Sequence, residues 1–152
     1  MNLKIFGFEE LNFLQIQIKE NDEMSFEKLS SNGRYMESAV FSIFKSCFEL
    51  SKPEFQYYAV NYYSTDQVVA LRNHLLTHLI RIQAIQSSDD LQTFILHQIS
   101  GIELMNELKK QYREWTILWE VIRDKLAAIN SEIIEIADQC IDDDKALWVS
   151  GY

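Results

Sequence analysis

The most regular pattern in the chain is an apolar heptad repeat in its C-terminal third. Apolar residues recur there at alternating steps of four and three positions: Trp115, Trp119, Ile122, Leu126, Ile129, Ile133, Ile136 and Cys140. This spacing places them on one side of an α-helix and predicts a long helix over residues 112–140. The stripe fits antiparallel packing inside one helical bundle or a dimer interface, and short loops to the neighbouring helices favour the bundle.

Two more helices are predicted before this one. Ser64 and Gln67 fit a capping box, and the apolar stripe that follows predicts a helix over residues 64–86. Serines and aspartates at 87–90 form a new N-cap and predict a helix over 89–111. Gly101 falls in the middle of that helix, where it favours a kink or a close helix crossing.

The first 63 residues contain most of the aromatic side chains and the alternating patterns typical of strands. Residues 3–8 and 12–19 are predicted strands, the second with apolar and polar residues alternating over 14–19. Polar turns follow at 20–23 and 30–33, and the Asn-Gly pair in the latter is typical of a hairpin.

The segment before the first proline has an ambiguous pattern. Residues 36–50 carry apolar groups at helical spacing but are rich in aromatics, so a helix is favoured and a strand stays possible. Pro53 disfavours helix in the residue before it and ends the segment. Residues 55–63 then predict a strand with large groups on both faces, and 146–149 a short final strand.

These elements predict an α+β fold, helix-rich overall. We expect a small N-terminal antiparallel sheet region followed by a three-helix antiparallel bundle. A length of 152 residues suits a single domain over 1–152, with a strand-rich half at 1–63 and a helical half at 64–140.

Composition and charge narrow the possible partners. The net charge is −9, so the chain lacks the excess of Lys and Arg that a nucleic-acid-binding protein needs. Apolar runs are short and the N-terminus has no signal-peptide core, which predicts a cytoplasmic protein without membrane contact.

No catalytic motif emerges from the candidate residues. His74 and His78 have the four-residue spacing of a metal clamp but lack the glutamate of the zinc-protease motif, and His97 is the third histidine. Cys47 and Cys140 lie on the apolar faces of their predicted helices, which favours buried thiols over nucleophiles. We therefore predict neither a catalytic residue nor a metal or other cofactor.

The more informative feature is an acidic stretch near the C-terminus. Residues 126–144 contain six acids and no Lys or Arg. The acids are Glu132, Glu135, Asp138, Asp142, Asp143 and Asp144. The first four share a helix face opposite the apolar stripe, which is typical of a solvated surface but also suits docking of a basic partner.

Tyrosines form a second candidate surface. Tyr57, Tyr58, Tyr62 and Tyr63 are close in sequence, and tyrosine is a frequent anchor in protein interfaces. An acidic rim around exposed tyrosines would suit a basic target. A tyrosine-lined sheet edge with no partner explains the segment equally well.

The leading hypothesis is a non-enzymatic acidic protein, monomer or homodimer, that neutralises a basic protein partner. Immunity proteins of bacterial toxin systems, which inhibit toxins such as nucleases, share this general profile. The alternatives are a secretion chaperone, an inhibitor that mimics nucleic-acid charge, and, from a different class, a metal-dependent helical-bundle hydrolase using His74 and His78.

Overall fold

A computed structural model of the protein describes Leu3, residues 13–19 and residues 33–151. The described residues form a mixed α+β fold, with a four-stranded antiparallel sheet and five helices. The elements in chain order are β1 (Phe13–Lys19), β2 (Arg34–Glu37), α1 (Ser38–Ser51), β3 (Val60–Tyr63), α2 (Thr65–Gln83), α3 (Ser88–Leu96), α4 (Gly101–Gln111), α5 (Trp119–Asp142) and β4 (Ala146–Ser150).

The α+β class predicted from the sequence is confirmed, but the helical part is not a three-helix bundle. Apart from Leu3 and Gly33, the predicted strand at 3–8 and the turns at 20–23 and 30–33 lie outside the described residues.

The sheet draws its strands from both ends of the chain. Its order is β2-β1-β4-β3, with every neighbouring pair antiparallel. The predicted C-terminal strand is confirmed and lies between β1 and β3. The sheet is therefore not purely N-terminal, because β4 supplies one of its two central strands.

One face of the sheet packs on the helices. Ile16 pairs with Val149 and Ile18 with Leu147, and Leu147 in turn pairs with Tyr63. Because paired residues project to the same side of a sheet, these side chains share a face. All of them pack in or against the hydrophobic core that the helices complete.

The helix α5 is held by contacts within the chain. It packs mainly against α2, which also packs against α1. Five residues of the heptad stripe are buried: Ile122, Leu126, Ile129, Ile133 and Cys140. Packing inside one chain thus accounts for the stripe, and no dimer is needed to cover it.

Two predicted boundaries before residue 64 need correction. The helix predicted over 36–50 is confirmed from Ser38 onward, while its first residues belong to β2. The strand predicted over 55–63 is confined to Val60–Tyr63. Its first half is a loop that Asn61 holds together, since the Asn61 side chain donates to the carbonyls of Gln56, Ala59 and Val149 and accepts from the Gln56 amide.

The helix predicted over 89–111 is two helices. The first helix ends at Leu96, and Ser100, at the N-cap of α4, has a left-handed backbone conformation with a φ of 59° that redirects the chain into the second. Gly101 starts α4 rather than lying inside a continuous helix.

The helix predicted over 112–140 begins late. Residues 112–118 form a turn region. In it the Trp115 amide donates a hydrogen bond to the Tyr112 carbonyl, and the Ile117 amide donates to the Glu114 carbonyl. Trp115 therefore lies outside α5, although it packs against the core. No strand occurs within 115–138, as predicted for this fully described stretch.

Candidate protein-binding surfaces

The acidic residues near the end of α5 do not form one uniform face. Glu132, Glu135, Asp142 and Asp143 are exposed, as is Asp144, which has a left-handed φ of 49°. Within the described part of the chain, no ion pair is found for Glu135, Asp142 or Asp143.

Cations from other elements approach the remaining acids. The Arg72 Nε on α2 donates a hydrogen bond to the Asp138 carboxylate, and both side chains are partly exposed. Asp138 therefore already has a cationic partner on a neighbouring helix. Residues 126–144 contain no Lys or Arg, but in the folded protein a cation from another element lies beside this acidic face.

A groove separates the sheet from α5 beside Glu132. Its volume is about 420 Å³, and Arg34 and Lys145 contribute to its walls together with Glu132, Glu135 and Gln139. Partial burial raises the pKa of Glu132, the neighbouring Glu135 raises it further, and Arg34 opposes the shift. This part of the acidic face is thus mixed in charge.

The four predicted tyrosines have different environments. Tyr58 is 86% exposed and Tyr62 39% exposed. Tyr57 is half-buried, and its hydroxyl donates to the Ser38 Oγ at 2.6 Å. The prediction that Tyr63 belongs to a binding surface is wrong, because the residue is fully buried and its hydroxyl donates to the Phe48 carbonyl at 2.9 Å.

Tyr62 and the acidic helix face lie on opposite sides of the sheet. Tyr63 shares the helix-covered face with Ile16 and Ile18, which also line the groove beside α5. Successive strand residues alternate in direction, so Tyr62 projects from the other face. It packs edge-to-face against Trp148 there, with ring centroids 5.4 Å apart. Among the described residues, the acids of α5 therefore do not form a rim around Tyr62.

The two histidines of the proposed metal clamp are separated by their environments. His74 is partly exposed, whereas His78 is buried and its Nδ1 lies 3.1 Å from the Asn130 Oδ1. His97 is exposed, and its Nδ1 donates to the Thr93 carbonyl. Among the described residues, no three His, Cys, Asp or Glu side chains come together as metal ligands.

The cysteines lack the environment of a nucleophile. Both are buried, and burial raises the pKa of Cys47 to about 11 and that of Cys140 to about 12. A thiol must ionise to attack, so both are in the unreactive form at neutral pH.

The buried pair of His78 and Asn130 is the polar feature that sequence reasoning missed. Asn130 is fully buried, and its Nδ2 also donates to the Leu75 carbonyl at 2.9 Å. A signal was present, since Asn130 directly follows Ile129 of the apolar stripe. An amide beside such a stripe usually needs a buried partner.

Comparison with protein-family models, with curated proteins and with solved structures finds no match. Across the part of the chain that is described, no helix combines the length and apolar character needed to cross a membrane.

Proposed function

We propose that this chain is a non-enzymatic binding protein that recognises a basic protein partner through the C-terminal end of α5. The observation that carries the proposal is the exposure of Glu135, Asp142 and Asp143, for which the described residues provide no ion pair. The net charge of −9 adds a long-range attraction for cationic proteins.

The charge arrangement suits rapid capture. Exposed acids act mainly on the rate of association, because they guide an oppositely charged partner during the encounter. Final affinity then depends on apolar contacts near the charged surface. Immunity proteins that inhibit basic nuclease toxins combine these properties, which supports the proposal that this chain has that function.

A second candidate function rests on the edge strand β3. Val60 and Tyr62 are partly exposed there, and β3 has a partner strand on one side alone within the described sheet. Such an edge can accept an extended segment as an additional strand. A secretion chaperone would use this edge, where Tyr62 projects from the sheet face opposite the one that the helices cover.

The first experiment is a growth-rescue assay. Each protein encoded next to this chain in its source genome is expressed in a bacterial host, alone and together with this chain. We expect one basic product to arrest growth alone and to be neutralised on co-expression. The complex is then purified by size exclusion, and its stoichiometry is measured by native mass spectrometry.

The result separates the two candidates. A compact one-to-one complex with a toxic basic protein supports the immunity function. A complex that holds a non-toxic secreted protein, and that is lost when Tyr62→Pro removes a strand amide from β3, supports the chaperone instead. The absence of any rescue and any complex among the neighbouring products contradicts the proposal.

A further inference from the structure

A second cavity lies between α1, α2 and the turn that joins α3 to α4, away from the acidic end of α5. Its volume is about 530 Å³, within the ordinary range for small-molecule sites. Leu50, Phe94 and Ile99 form apolar walls, and His78, Arg81 and Gln98 contribute polar groups.

The His78 ring gives this cavity a specific hydrogen-bonding character. The Asn130 Nδ2 donates to the Leu75 carbonyl, so the Oδ1 faces His78 and must accept from a protonated Nδ1. The neutral ring then has an unprotonated Nε2, which is an acceptor. This Nε2 is buried and has no hydrogen-bond partner among the described residues.

Two neighbouring groups do not satisfy the Nε2. The Gln98 side chain and the Ile43 backbone lie close enough to accept a hydrogen bond from the protonated ring, and both therefore raise the pKa of His78. Neither donates to the unprotonated Nε2, which has no hydrogen-bond partner of normal geometry among the described residues. Burial outweighs both and lowers the pKa of His78, which keeps the ring neutral near pH 7. A buried acceptor without a donor is costly, and a ligand that donates to it would remove that cost.

The cavity is lined by basic side chains, although the chain as a whole is acidic. Among the described residues, the cavity is lined by Arg81 and His97 and by no carboxylate, although the chain has 23 acidic residues. Arg81 is exposed and has no ion pair within the described residues. It lies one helical turn after His78, so the two side chains are on the same side of α2.

From this geometry we propose that the cavity binds a small aromatic carboxylate that carries a hydroxyl group. The hydroxyl donates to the His78 Nε2, the aromatic ring packs between Phe94 and the aliphatic walls, and the carboxylate contacts the Arg81 guanidinium. This site is independent of the protein-binding function proposed above.

Three related compounds test the proposal by NMR titration of the full chain. The probe is 4-hydroxyphenylacetate. Phenylacetate lacks the hydroxyl, and 4-methylphenol lacks the carboxylate. We expect saturable binding of 4-hydroxyphenylacetate, with the ring signals of His78 among those that shift most. Loss of the hydroxyl should weaken binding about fivefold or more, since it leaves the acceptor unsatisfied.

A charge-neutralising variant tests the carboxylate contact. Arg81→Gln should weaken 4-hydroxyphenylacetate binding by about two- to fivefold, the range of a partly exposed ion pair, and should leave 4-methylphenol binding unchanged. Arg113→Gln is the matched control, because Arg113 is also exposed and lies away from the cavity, in the turn before α5. It should bind all three compounds as the wild type does.

Three results would overturn the proposal. The first is no saturable binding of 4-hydroxyphenylacetate at millimolar concentration. The second is equal affinity for phenylacetate and the hydroxylated probe with no change at His78. The third is equal weakening of all three compounds by Arg81→Gln, which would mean that the variant disturbs the cavity rather than a carboxylate contact.

Discussion

At the scale of single residues, the His78–Asn130 pair is the most demanding arrangement in the core. The two groups lie on α2 and α5, the helices that make the main interhelical contact, and Asn130 also bonds to the α2 backbone. His78 contacts the rings of Phe44 and Phe94, with centroids 5.4 Å away in each case. The pair therefore fixes the register of α2 against α5, because a shift of either helix would leave buried polar groups unpaired.

This pair leads to a prediction about pH. The folded-state pKa of His78 is lowered, so the unfolded chain binds a proton at a higher pH than the folded chain does. The free energy of unfolding should then fall as the pH drops through the ordinary histidine value of about 6.5 toward the lower folded value. Urea denaturation at several pH values between about 8 and about 5 covers this range and measures the decrease in the free energy of unfolding.

A matched pair of variants isolates the residue responsible. His78→Gln should cost about 1–3 kcal/mol at high pH, because ring packing is lost from the core, and should flatten the pH dependence. His74→Gln removes a partly exposed histidine from the same helix and should keep the wild-type slope. Identical slopes in the wild type and His78→Gln would show that His78 is not the titrating group.

The environment of a residue could be predicted where it depends on a single helix or strand. The capping box of Ser64 and Gln67 is present as predicted, because its bonds lie within one helical turn. Burial of the two cysteines likewise follows from the apolar phase of their helices. The burial of Tyr63 was not predictable, since the 55–63 segment has aromatics on both strand faces and the sequence does not indicate which face the helices cover.

At the scale of elements, periodicity predicted the helices better than their ends. Most stripe residues of α2 and α5 are buried as expected, because a sustained repeat averages over many residues, although Val69, Leu76 and Ile80 at the margin of the α2 stripe are exposed. The break at 97–100 and the turns at 112–118 depend on single backbone conformations and on neighbouring packing. Neither leaves a repeating signal, so one predicted helix became two and another began later than predicted.

The break between α3 and α4 makes two adjacent substitutions act in opposite directions. A methyl group at Gly101 would lie 2.5 Å from the Ile95 carbonyl oxygen and 2.7 Å from the Leu96 Cα. Gly101→Ala should therefore destabilise the fold, although alanine favours helix by about 1 kcal/mol in an unhindered position. Ser100→Gly should stabilise it by about 1 kcal/mol, since glycine adopts a left-handed conformation without the penalty of a Cβ.

Melting temperatures of the two variants test this element directly. A lower value for Gly101→Ala and a higher value for Ser100→Gly are expected. A gain in Gly101→Ala would instead mean that α3 and α4 join into the continuous helix that the sequence pattern predicts.

At the scale of the whole molecule, the fold brings cations from other elements close to the acids of residues 126–144. Arg72 and Arg34 come from elements far from α5 in the chain and lie near acids of its C-terminal half. No pattern within residues 126–144 could have indicated these cations, because the contacts depend on how α2 and β2 pack. Of the predicted acidic surface, Glu135, Asp142 and Asp143 are therefore the main residues that are exposed and have no ion pair among the described residues.

This redistribution selects the residues for a charge-reversal test of partner binding. Reversing Glu135, Asp142 and Asp143 to lysine leaves the Asp138–Arg72 contact intact. It also places cations near the helix C-terminus, where the dipole favours them, so unfolding should stay cooperative. The association rate with the basic partner from the rescue assay should fall by about tenfold or more at low salt, and its salt dependence should flatten.

The matched control reverses Glu103, Glu114 and Glu120, three exposed acids outside the end of α5 that likewise have no ion pair among the described residues. It changes the net charge by the same amount, so any general effect of charge appears in both variants. Stopped-flow association at several salt concentrations separates the local effect from the general one. If the docking surface lies elsewhere, the two variants will slow association equally, and the β3 edge with Tyr58 and Tyr62 becomes the surface to mutate next.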